Sequence, residues 1–94
     1  MSTHEAKSII LSRKPGAKGE EHYMLLVALF EHNNAHKAGE TPKQVLEFPN
    51  IEKVRLRNLN ISYYLDGNDL IVNDLSEITI NQEGDMIVLE GKQE

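Results

Sequence analysis

Placed at helical spacing, the apolar positions of the middle of this chain fall into three runs. In Glu20 to Lys37, Tyr23, Leu26, Val27 and Phe30 repeat at i, i+3, i+4, i+7, and Met24, Leu25, Ala28 and Leu29 widen the stripe until its first turns are apolar nearly all round. Glu20 and Glu21 at one end, His36 and Lys37 at the other and Gly39 beyond match the dipole and stop signals of a helix over 20–37 that is central to the core. Thr41-Pro42-Lys43-Gln44 has the order of a capping box with proline at the first helical position. It predicts a short second helix that buries Val45, Leu46 and Phe48 and ends at Pro49. Asn50 then caps a third helix running to Asp66, with Gly67 past its end. On that helix Ile51, Val54, Ile61 and Leu65 share one stripe with Asn58 among them, and Leu56, Leu59 and Tyr63 share another. Between the two stripes stands a line of Lys53, Arg57, Asn60 and Tyr64. The link between the second and third helices is short enough for a steep crossing.

After Gly67 the pattern changes. Leu70-Ile71-Val72 and Ile78-Thr79-Ile80 are β-prone, and Asn73-Asp74-Leu75-Ser76 reads as the turn of a small antiparallel hairpin. Two segments stay open on pattern alone. Residues 1–12 fit a short helix or a strand over Ser8 to Ser12, and residues 82–90 fit a last helix or a third strand returning through a glycine turn. Arg13-Lys14-Pro15-Gly16-Ala17-Lys18-Gly19 reads as a basic loop or arm, so that the chain divides into an extension over 1–19, a domain over 20–90 and a tail over 91–94.

Helix, capped short helix, longer helix and hairpin in that order resemble a winged helix-turn-helix domain, a mainly α fold with a small β-hairpin. Leu65 five residues ahead of Leu70-Ile71 is similar to the "L…(G)LI" passage that closes the recognition helix in such regulators, and Ile78-Thr79, Glu83-Gly84 and Leu89-Glu90 resemble their "IT-x-x-G…LE" ending. The resemblance implies a transcriptional regulator that reads double-stranded DNA with residues 50–66. Arg57 and Asn60 would reach base edges, Lys53 and Tyr64 phosphates, Arg55 a flanking phosphate, and Arg13, Lys14 and Lys18 would serve as the arm. The wing carries Asp69, Asp74 and Glu77 and no cation, so it is not expected to rest on phosphates. The regulator is expected to be a homodimer, and Leu56, Leu59 and Tyr63 either pack on the N-terminal segment or the wing or form the dimer contact. The rival reading is a winged helix used for protein–protein contact without DNA binding, argued from the acidic wing, the −5 charge and this second apolar stripe.

Charge sharpens the contrast between the halves. Residues 1–65 hold nine Lys/Arg against seven Asp/Glu, whereas residues 66–94 hold one against eight, within a total of −5 over 94 residues. The absence of cysteine removes disulfides and thiolate metal sites, and with no apolar run long enough for a membrane span it points to a soluble cytoplasmic protein. His32 and His36 are spaced for a shared metal but have no carboxylate placed to complete the set; His4 and His22 are isolated. No nucleophile motif or phosphate loop is present. The expectation is a protein that is not an enzyme and uses no cofactor, no metal and no small-molecule substrate.

Overall fold

The structure is a computed structural model that describes residues 1–15, 22–35, 37–59, 61–65 and 69–93. Among the described residues nine strands follow one another: β1 (Ser2–Glu5), β2 (Ser8–Pro15), β3 (Tyr23–Phe30), β4 (Gln44–Ile51), β5 (Lys53–Arg57), β6 (Ile61–Leu65), β7 (Asp69–Val72), β8 (Leu75–Glu83) and β9 (Met86–Gln93). They form two sheets, one ordered β1-β8-β9-β5 and the other β4-β3-β2-β7-β6. Pairing is antiparallel throughout except between β5 and β9, which run parallel.

One apolar core lies between the sheets. The five-stranded sheet contributes Ile9, Leu11, Leu25, Val27, Leu29, Ile51 and Val72, and the four-stranded sheet Leu75, Ile78, Ile80, Ile87 and Leu89, all within one cluster. These residues alternate with residues on the far face, as the two-residue period of a strand requires, except in β8, where an irregularity between Leu75 and Glu77 brings both Leu75 and Ile78 to the core. The chain crosses between sheets four times: three crossings are the short links Ala6-Lys7, Glu52 and Asn73-Asp74, and the other lies between β5 and β6.

The first link and the third meet the loop over 31–43. Lys7 N–H donates to Phe30 O at 2.9 Å and Leu75 N–H to Lys7 O at 3.0 Å. Asn73, one of two buried polar residues among those described, accepts from Asn34 N–H at 2.9 Å and donates to Asn34 Oδ1 at 3.0 Å. Beside it Asp74 N–H donates to Asn33 Oδ1 at 2.8 Å, and Asn33 Nδ2 donates to Asp74 Oδ1 at 3.0 Å. Asn34 (φ 53°) and Asp74 (φ 61°) both hold left-handed backbone, which Asn and Asp accept more readily than other side chains.

The fold corrects the helical expectation at every element. Among the described residues there is no helix, so the mainly α class, the winged helix-turn-helix resemblance and a DNA-reading helix over 50–66 are all overturned. The stretch expected as the first helix contains β3. An apolar run without a polar side fits a strand in mid-sheet as well as a buried helix. The capping-box residues lead into β4, an edge strand where Pro49 is tolerated because no ladder bond is required of it. Asn50 (φ 58°) caps nothing. It lies in a bulge where β4 has one residue more than β3 between the pairs Leu25↔Phe48 and Tyr23↔Ile51.

Residues 53–57, Lys-Val-Arg-Leu-Arg, alternate strictly and form β5. Val54 and Leu56, assigned to different helical stripes, thus share the core-facing side of one strand. The expected hairpin does not exist either, since β7 and β8 belong to different sheets. Residues 8–12 are strand, and residues 82–90 turn at Gly84-Asp85 and return as β9.

Candidate functional site

The two outer faces of the sandwich differ in chemistry. On the four-stranded sheet the outward positions of β5 are Lys53, Arg55 and Arg57, all exposed and in register with Met86, Val88 and Glu90 of β9. Thr3 and Thr79 meet on the same sheet through their hydroxyls at 3.2 Å, and Arg55 and Arg57 line a shallow cleft of about 230 Å³ with Asn81 and Glu83. This face is of mixed charge, with Met86 and Val88 half-buried between the charged side chains. A strand therefore gathers the three cations more strictly than a helix would have done, yet Glu83 and Glu90 stand among them and no groove-reading helix carries them.

On the five-stranded sheet the outward positions of β3 are apolar, and at Ala28 so are their neighbours. Val45, Ala28, Ile10 and Ile71 stand side by side across β4, β3, β2 and β7. Leu26 and Met24 continue the patch along β3, flanked by Ser12, Glu47 and Lys14. Val45 is 48% exposed, Ile10, Met24, Leu26 and Ala28 are half-buried, and Ile71 is fully buried yet outside the central core cluster. An antiparallel sheet with a free outer face normally alternates apolar inward and polar outward; β3 does not.

The remaining residues expected to bind DNA are scattered. Arg13 lies in β2, not in an arm, with its guanidinium 5.0 Å from the centre of the Tyr23 ring. Lys14 follows it on β2 with the opposite orientation. Tyr64 belongs to β6, while Asn60 and Lys18 lie outside the described residues. Of the histidine pair, His36 lies outside the described residues, and His32 Nδ1–H donates to Glu40 Oε1 at 2.7 Å, closing the loop ends onto each other.

A cluster that the sequence kept apart forms at a corner of the sandwich. His22, Glu52 and Asp85, distant in the chain, bring their ligating atoms within 4.8 Å of one another. His22 is isolated in the sequence and no spacing motif joins the three, so only the topology brings them together. No helix among the described residues is long and apolar enough to cross a membrane. No family model, curated protein or solved structure matches this chain.

Proposed function

We propose that this chain is a non-catalytic β-sandwich module that associates with a second copy of itself through the outer face of its five-stranded sheet. The observation that supports the reading is the contrast between the two outer faces: one sets charges of both signs around Met86 and Val88, the other carries an apolar row from Val45 through Ala28 to Ile10 extended by Leu26 and Met24. A second copy suits this face because it carries its own complementary rim. Lys14 and Glu47 both point outward beside the apolar centre, so two faces can meet apolar to apolar with opposite charges across the edge. The cations of β5 disfavour the other symmetric arrangement, edge to edge through β5, since Lys53, Arg55 and Arg57 would then face their own kind. A cytoplasmic setting belongs to the same proposal, supported by a chain without cysteine.

The patch sets the strength. With strands about 4.8 Å apart and a rise of about 3.4 Å per residue, the row from Val45 to Ile10 spans about 10 Å and the arm along β3 about 14 Å, a T-shaped apolar centre of less than about 150 Å² per copy. A standard interface buries about 800 Å² per partner, so the dimer should be weak and lost on dilution. Sedimentation equilibrium from about 10 μM to about 1 mM tests this range, in which a weak association of about −4 to −7 kcal/mol is visible. Wild type should pass from monomer towards dimer, and Leu26→Lys, which leaves the core-facing side of β3 untouched, should stay monomeric with an unchanged circular dichroism spectrum. A monomer at every concentration, or a Leu26→Lys variant that dimerises like wild type, overturns the proposal.

A further inference from the structure

The corner formed by His22, Glu52 and Asp85 has the composition and the spacing of a ligand set. His22 immediately precedes β3 of the five-stranded sheet. Glu52 is the single residue between β4 and β5, where the chain passes from one sheet to the other, and Asp85 lies in the turn joining β8 to β9. The bulge at Asn50 turns the end of β4 into this corner, and Gly84 (φ 62°) supplies the left-handed residue of the turn. Main-chain bonds fix two of the three segments together: the N–H groups of Glu52 and Lys53 both donate to Asp85 O, at 2.8 and 3.2 Å.

The side chains are arranged around a gap. His22 Nε2 lies 3.9 Å from Glu52 Oε2 and 4.0 Å from Asp85 Oδ2, both beyond hydrogen-bonding distance. The contrast is with His32 and Glu40, which close to 2.7 Å and satisfy each other. A zinc-class ion holds nitrogen and oxygen ligands at about 2.0–2.2 Å, which puts tetrahedral ligand atoms about 3.4 Å apart. The present separations need to contract by about half an ångström for the two histidine pairs and by up to about 1.4 Å at the widest. The side chains of His22, Glu52 and Asp85 are 30%, 43% and 54% exposed, so they can rotate without disturbing the core. Two carboxylates and a neutral imidazole balance a divalent charge. The imidazole favours zinc, cobalt or nickel over calcium or magnesium, which prefer an all-oxygen set. Three protein ligands leave a fourth position, and the corner borders a cleft of about 510 Å³ lined by Pro49, Asn50, Gln82 and Gly84.

We infer that His22, Glu52 and Asp85 form a binding site for one divalent transition-metal ion of the zinc class, with an open position facing this cleft. The site pins the start of β3, the β4–β5 crossing and the β8–β9 turn to one another, so occupation should also raise thermal stability. It is independent of the dimer face, which uses other residues.

The test is calorimetric titration of the full chain with zinc chloride, repeated with cobalt chloride followed by visible absorption. One ion per chain is expected, removable by EDTA, with cobalt giving the intense bands of a four- or five-coordinate site. His22→Ala, Glu52→Gln and Asp85→Asn should each weaken zinc binding at least about tenfold, the lower end of what even outer-shell partners of a metal contribute. His32→Ala should leave it unchanged. The carboxamide variants keep the side-chain shape, and circular dichroism establishes that each variant is folded. No saturable zinc binding by wild type overturns the inference, as does zinc binding of equal strength in the folded His22, Glu52 and Asp85 variants.

Discussion

Replacing Asn73 by alanine should destabilise the protein more than any other single polar truncation among the hydrogen bonds described above. The Asn73 side chain is buried at the link where the chain passes from β7 to β8, and its amide makes two bonds to Asn34, one to the N–H at 2.9 Å and one to Oδ1 at 3.0 Å. Each such bond contributes about 1 kcal/mol net, and a partly buried N–H left without its acceptor adds up to about another 1 kcal/mol. The expected loss is therefore about 2–3 kcal/mol, a large share of the roughly 5–14 kcal/mol expected for a domain of this size. It corresponds to a fall in Tm of about 10–20 °C. The assay is urea unfolding followed by far-UV circular dichroism, since the chain has no tryptophan. The midpoint should drop while the slope stays constant, because the surface exposed on unfolding does not change. Asn33→Ala, which breaks the neighbouring exposed pair with Asp74, should lose about half as much. A loss below about 0.5 kcal/mol for Asn73→Ala, the ordinary range of a surface substitution, refutes the role given to the loop-to-crossing network.

Two further outcomes follow from packing and from the sheet edge. A Cβ at Gly91 would collide with the Leu59 side chain and stand 3.1 Å from Asn58 O, so Gly91→Ala should lower stability by about 1–3 kcal/mol in thermal melts. Adding Leu59→Ala should relieve part of that clash while losing Leu59's own contacts with the core, so the two substitutions should be non-additive. Changing Lys53, Arg55 and Arg57 together to glutamine should move stability little, since all three side chains are exposed, but should raise light scattering on heating. The cations guard an edge strand against pairing with other chains.

The strand character of several stretches was legible in the chain, and the helical period masked it. Lys53 to Arg57 alternates over five residues, which a strand satisfies fully and a helix only by dividing Val54 from Leu56. Tyr23 to Phe30 carries no such signal. It is apolar at every position, and neither a period of 3.6 nor one of 2 can be extracted from it. End signals misled for a physical reason: proline, asparagine and glycine act on the local backbone, and the same left-handed Asn that flanks a helix also makes a bulge. Gly84-Asp85, by contrast, is a turn whichever element follows.

The chain by itself determined where apolar side chains concentrate, that Gly84-Asp85 turns, and that acid outweighs base after residue 65. It left open which stretches lie side by side. That was decided by tertiary pairing, since a strand satisfies its backbone hydrogen bonds only through a neighbour that the local sequence does not name. The parallel pairing of β5 with β9, the separation of β7 and β8 into different sheets, and the meeting of His22, Glu52 and Asp85 at one corner are all of this kind. Local propensity acts over a few residues, whereas these contacts join positions 30 or more apart, and only the burial of a shared core selects them.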